Sequence, residues 1–173
     1  NGYNEIKPIS VIKDKSETFT LIDSKQEIFY KSRRLIASRN YYEFVTWSFM
    51  SSKFAKYFNQ YNALLKLDNP ISSDLNVMRP SILPNLIESI KKNQSRYLDN
   101  SGIFEVGPQY ENCKSNGQHI MASGIKFGYK FKENWIDEKR PIDVYDIKSD
   151  VYFFLSSLDL PVNNIELDEK SPS

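Results

Sequence analysis

Residues 102–110 and 120–129 both have strand composition, and the polar stretch 111–118 separates them, which predicts an antiparallel hairpin with a long turn. No other feature narrows the fold as far. Two strands alone bury too little to be stable in water, so helices must cover them. The sequence offers three. Ser24 followed by Glu27 has the spacing of a capping box, and Ile28, Phe29, Leu35 and Ile36 form one stripe at the 3.6-residue period, with Asn40 as a left-handed stop; this predicts a helix over 25–39. Ser81 opens the second, whose stripe is Leu83, Leu86, Ile87, Ile90 and Tyr97. Pro84 is tolerated there because the first turn has no intrahelical donor to lose, and Lys91, Lys92 and Arg96 complement the negative end of the dipole. Ile147, Val151, Phe154, Leu155 and Leu158 define the third, which Asp159, Leu160 and Pro161 end.

Smaller elements fill the gaps. Residues 42–50 read as one strand with Val45, Trp47 and Phe49 on one face and Phe44, Thr46 and Ser48 on the other, a pattern expected at the centre of a sheet. Ser51 or Ser52 can cap a short helix with Phe54, Tyr57 and Phe58 on one side, while 63–67 and 162–167 are short strand candidates. Residues 1–10 show no period and read as a linker. The fold class that results is α+β, an antiparallel sheet flanked by helices.

Composition removes whole classes of function. Lys plus Arg number 23 and Asp plus Glu 22, so the formal charge of +1 leaves no field of one sign for a polyanion or a membrane surface. The best apolar run, 151–155, is far short of the roughly 18 residues of a membrane span. One cysteine, Cys113, and one histidine, His119, exclude an internal disulfide and Cys- or His-based metal clusters, as suits a reducing cytoplasm. The six glycines are scattered, so neither a dinucleotide fingerprint nor a P-loop exists. His119 has no nucleophile elbow to serve, and Cys113 beside Lys114 reads as incidental. Asp143, Asp146 and Asp150 are spaced by three and four at the start of the third helix, where they either favour its positive end or offer oxygens to magnesium; Lys148 competes for the same charges. Arg33, Arg34 and Arg39 could reach RNA phosphates or simply form a solvated face, and the 11 Tyr and 11 Phe fall on faces that a core needs.

The segment Asp68-Asn69-Pro70-Ile71-Ser72-Ser73-Asp74, followed by Val77-Met78-Arg79-Pro80-Ser81-Ile82-Leu83-Pro84-Asn85-Leu86, resembles the core of the bacterial phenylalanyl-tRNA synthetase beta subunit family. The likeness continues through Asn93, Arg96 and Ile103-Phe104-Glu105-Val106-Gly107, and resumes at Asp143-Val144-Tyr145-Asp146-Ile147-Lys148-Ser149-Asp150-Val151. Gly2-Tyr3-Asn4-Glu5-Ile6 is similar to the tail of the preceding domain in that subunit, which divides the chain into a tail over 1–10 and a core over 11–173 cut from a longer polypeptide. Ser149 and Asn85 stand where the family usually has Gly.

The resemblance implies a class II synthetase-like module without the chemistry. A working site of that class holds the ATP phosphate with an Arg in the strand after the long helix, because a guanidinium grips phosphate bidentately; Ile103-Phe104-Glu105-Val106 carries none. Catalytic, cofactor-binding and metal residues are therefore not expected in this chain, while the whole enzyme uses ATP and magnesium. The implied partners are the catalytic alpha subunit, in a cytoplasmic heterotetramer of two alpha and two beta chains, and tRNA; no membrane is involved. Met78, Arg79 and Pro80 are the expected subunit-interface residues, since an Arg beside an apolar patch is a common anchor. Two rival readings remain: an RNA-binding module gripping tRNA through Arg33, Arg34, Lys91, Lys92 and Arg96, and a stand-alone adenylating enzyme with a degenerate site.

Overall fold

A computed structural model describes residues 2–8, 22–58, 65–93, 101–130, 135 and 140–163. After an exposed 3-10 turn at Tyr3–Glu5, the elements in chain order are α1 (Ser24–Ala37), β1 (Tyr41–Glu43), β2 (Phe49–Met50), α2 (Ser52–Ala55), β3 (Val77–Met78), α3 (Leu83–Asn93), β4 (Ser101–Tyr110), β5 (Gln118–Phe127) and α4 (Val144–Ser157). β1, β4 and β5 form one sheet in that order, and β2 pairs with β3 in a second, two-stranded one. No helix among the described residues is long and apolar enough to cross a membrane.

The predicted hairpin is the spine of the molecule. β4 and β5 pair antiparallel over ten positions, from Ser101 opposite Phe127 to Tyr110 opposite Gln118. The sheet is nevertheless mixed rather than antiparallel, because β1 lies parallel to β4, with Tyr41 opposite Gly102 and Glu43 opposite Phe104. Parallel neighbours need a crossover, and the segment holding α3 supplies it by returning the chain to the starting end of the sheet.

Alternation along β4 assigns its two faces. Ile103 faces α3, where it packs with Ile82 and Leu86 and the partly buried Phe44, Ile90, Ile125 and Phe127. Each such aliphatic side chain contributes roughly 1.5–3 kcal/mol on leaving water. A smaller core of Met50, Ala55 and Val77 joins β2, α2 and β3. The opposite face carries Tyr41 and Phe104, whose rings meet edge to face with centroids 6.5 Å apart, and it is covered by α1 and α4. The result is helices on both sides of a small sheet.

Local signals succeed and fail for identifiable reasons. Asn40 takes the left-handed conformation at φ 65° just past α1, as a stop residue should. Ser24 does not cap α1: it lies inside the first turn, Asp23 is the cap residue, and no side chain closes it. The helix ends at Ala37, two residues short of expectation. Ser51 does cap α2, accepting from the Lys53 amide at 3.3 Å. Residues 42–50 are not one central strand; pairing stops at Glu43 and resumes at Phe49, and Val45 and Trp47 face solvent. Leu65–Leu67 form only an isolated bridge, Lys66 to Val77, and Val162 and Asn163 are not in a strand. Residues 63–64 and 164–167, with Arg96 and Tyr97, lie outside the described residues.

Two glycines make room for Tyr41. A Cβ at Gly102 would lie 2.6 Å from Tyr41 Cδ1, and one at Gly124 3.3 Å from Cε1, so the ring sits in a slot across β4 and β5. Gly102→Ala is therefore expected to destabilise the fold by about 1–3 kcal/mol. Gly2→Ala, with nothing within 4 Å of the added carbon, should leave the melting temperature unchanged. Thermal unfolding of the two variants side by side tests the slot.

Candidate functional site

An isolated carboxylate in an apolar strand must find a cation, because an unpaired buried charge is far too costly. Glu105 is that carboxylate, and Arg79 is its partner at 2.8 Å, with side chains 5% and 1% exposed. The backbone of Arg79 is stitched on both sides, its amide donating to the Ser48 carbonyl at 2.9 Å and its carbonyl accepting from the Tyr110 amide at 3.0 Å. Its guanidinium then crosses the α3-facing side of β4. Nε donates to the Pro108 carbonyl at 2.7 Å, Nη1 to Thr46 Oγ1 at 2.9 Å and Nη2 to Glu105 Oε1 at 2.8 Å. Gly107 permits the passage, since a Cβ there would lie 2.8 Å from Nη2.

Thr46 completes the circuit. Its hydroxyl accepts from Arg79 and donates to Glu105 Oε2 at 2.6 Å, and its amide donates to the same oxygen at 3.3 Å. The segment 44–48 thus leaves the sheet ladder after the Phe44 amide has donated to the Phe104 carbonyl, and is held from then on by side chains at Thr46 and Trp47 and by the Arg79 amide at Ser48. Asn85, buried on α3, adds a clamp by donating Nδ2 to the Trp47 carbonyl at 3.0 Å. With the inner edge fastened, Val45 and Trp47 point outward, 87% and 66% exposed. A hollow of about 500 Å³ beside them is lined by Met78 and Tyr110.

Of the expected interface residues, Arg79 and Pro80 are buried within this chain, and Met78 is half-buried at the rim of that hollow. Arg79 has almost no exposed surface to offer a partner: its side chain is 1% exposed, and each of its three guanidinium nitrogens donates within this chain, to Pro108, Thr46 and Glu105. Thr46 and Asn85 escaped the sequence reading. The signal available was Glu105 itself, a lone charge among Ile103, Phe104 and Val106.

A second set of charges fastens α4 to the other face. Asp143 caps the helix, accepting from the Tyr145 and Asp146 amides at 2.9 and 3.0 Å, while Asp146 reaches back to the Asp143 amide, so these two carboxylates serve the helix start. Arg140 binds both, and Lys130 lies 3.2 Å from Asp146. The Arg140 hydrogen bonds hold the Asp146 carboxyl well below its usual range. Asp150 is buried and accepts from Arg39, the Tyr41 hydroxyl and Lys126. Burial first, then the Asp150 charge, pushes the Tyr41 phenol well above its ordinary value. The oxygens a magnesium ion would need are taken by these cations. Ser149 and Asn85 lie inside helices at ordinary negative φ, so neither requires the glycine that the resemblance suggested.

Among the described residues, those of the RNA-binding reading do not converge. Arg33 pairs with Glu43 and lies over the Phe29 and Tyr30 rings, and Lys92 pairs with Glu88 at 2.7 Å. Arg34 and Lys91 are exposed on different helices. His119 sits 3.4 Å from Glu111 at the mouth of the hairpin, and Cys113 is exposed in its turn.

A profile described as the phenylalanyl tRNA synthetase beta chain CLM domain matches residues 4–173. The phenylalanine–tRNA ligase beta subunit of Rhodospirillum rubrum is 33% identical over 173 residues, all of this chain and 22% of that one. That of Bartonella henselae is 35% identical over 178 residues, 99% of this chain and 22% of its own. The chain thus spans about a fifth of the length of these relatives. Among solved structures, a pyrrolysyl-tRNA synthetase from Desulfitobacterium hafniense superposes with a TM-score of 0.59 at 15% identity, over 84% of this chain and 50% of that one. Another structure from the same organism gives 0.56 over 80% and 46%. At such identities the likeness is one of fold.

Because the Asp146 carboxyl is held low, its contribution to stability is full above the ordinary carboxylate value of 3.8 and is lost as the pH falls through the folded value. Asp146→Asn should lower the melting temperature at pH 7 by about 2–4 °C, the size of one partly exposed ion pair. The gap between variant and parent should close below pH 3.8. A gap that is constant from pH 7 to pH 2 would contradict the assignment.

Proposed function

This chain belongs to the phenylalanyl-tRNA synthetase beta-chain family, and from that premise we propose that it is a catalytically silent, class II synthetase-like module that packs against a catalytic alpha subunit. The enzyme it serves attaches phenylalanine to its tRNA using ATP and magnesium, as a cytoplasmic assembly of two alpha and two beta chains. Those substrates and ions belong to the assembly. Within this chain, the β4 position where a working site would carry a phosphate-binding Arg has instead Ile103-Phe104-Glu105-Val106, and the Glu105 carboxylate is neutralised by Arg79 rather than offered to a ligand. The one guanidinium at that place is committed to Glu105 and is not free to grip a phosphate, which supports silence and disfavours a stand-alone adenylating enzyme.

The observation that carries the assembly role is the outward pair Val45 and Trp47 on a segment tied down from behind. Bulky apolar side chains held rigidly in water are the kind of surface a partner covers, and Trp is prominent among interface hot spots. Met78 joins them at the rim, while Arg79 and Pro80 support the surface from beneath.

The test is titration of the alpha subunit with the full-length beta chain carrying Trp47→Ala or Val45→Asp. Affinity should fall by about 30-fold, the effect of a hot spot worth roughly 2 kcal/mol. Unchanged affinity in both variants would refute the surface, and saturable heat on adding ATP to the beta chain alone would refute silence.

A further inference from the structure

The buried ion pair has a closer connection to the surface than to any ligand, and it runs through one hydroxyl. Thr46 lies between Val45 and Trp47, and its Oγ1 accepts from Arg79 and donates to Glu105. The same carboxylate accepts the Thr46 amide at 3.3 Å, the Arg79 amide holds the Ser48 carbonyl at 2.9 Å, and Asn85 holds the Trp47 carbonyl at 3.0 Å. Val45 itself makes no hydrogen bond among the described residues, so its place is set by what grips its neighbours. We infer that Arg79, Glu105, Thr46 and Asn85 are positioning residues that preorganise segment 44–48, presenting Val45 and Trp47 to the alpha subunit in a single conformation.

This rests on the reading of Val45 and Trp47 as the alpha-facing surface, and adds to it a statement about cost. A segment without sheet pairing would sample many conformations, and a partner that binds one of them loses affinity in proportion to the population it must select. The Arg79–Glu105 pair removes that loss by giving the Thr46 hydroxyl and amide one geometry. Arg79, Glu105 and Thr46 act through the segment, with Arg79 and Glu105 almost wholly buried.

Thr46→Val in the full-length beta chain deletes the hydroxyl at nearly constant shape. Two quantities should move together: the dissociation constant for the alpha subunit should rise about tenfold, and the residue 46 amide should lose nearly all its protection from hydrogen exchange, as expected when the competent population falls to about a tenth. Exchange at Ile103 and Val106 in β4 should not change, and Thr46→Ser, which restores a hydroxyl, should return both readings to the parent values. Asn85→Ala frees the Trp47 carbonyl without touching the ion pair and should also weaken binding. The inference is overturned if exchange quickens while affinity holds, if neither moves, or if the β4 amides quicken equally, which would make the hydroxyl a prop for the whole fold. Failure of the surface reading is distinct, because then Trp47→Ala would leave affinity unchanged.

Discussion

Much of this structure follows from the need to neutralise one carboxylate. Glu105 is placed by β4 in an apolar layer under α3, where an unpaired charge would cost several kcal/mol. Arg79 meets it, and to do so its backbone must be pinned between Ser48 and Tyr110, its side chain must pass over Gly107, and the start of α3 must follow directly behind. The pair is a poor source of net stability compared with a well-packed apolar replacement, but removing either member alone would cost about 3–5 kcal/mol. That asymmetry makes it a device for selecting one arrangement. It ties β2, β3, β4 and the segment after β1 into a single geometry.

The two faces of the sheet are held by different physics. Under α3 the contacts are aliphatic, with Ile82, Leu86 and Ile103 fully buried, and the ion pair sits at the edge of that layer. On the other face the glycine slot admits Tyr41, whose hydroxyl reaches Asp150, and Arg39 and Lys126 converge on the same carboxylate. Arg39 also lies 5.0 Å above the Phe153 ring, so α4 is attached to the end of α1 through charge and π contact. A carboxylate trio that resembled a metal site is thus a set of fasteners.

Legibility in the sequence depended on whether a signal was local. The β4–β5 hairpin, the stop at Asn40, the Ser51 cap and the start of α4 at Asp143 are all decided within a few residues, and all could be read. Segment 42–50 could not, because what ends its pairing is the Glu105 side chain, 59 positions from Thr46, taking the Thr46 amide that a continuing ladder would have used and holding the Thr46 hydroxyl beside it. The sequence marks Arg79 as a candidate interface residue, but its type and its apolar neighbours are equally compatible with facing in or out. Its direction is set by Glu105 and Gly107, which lie on another element. Asp23 displaced Ser24 as the cap of α1 for a smaller reason, a shift of one residue in where the first turn begins.

The parallel pairing of β1 with β4 also governs the order in which this protein can come into being. On the ribosome α1 and β1 emerge before β4, so Tyr41 cannot find Gly102 until roughly 60 further residues have been made, a long loop to close before that sheet contact rewards it. β5 then adds through the local connection 111–117, and α4 follows to cover Tyr41. During translation β1 and the apolar segment behind it therefore wait without a template, so the newborn chain passes through a window in which Trp47 and its neighbours are open to the wrong companions.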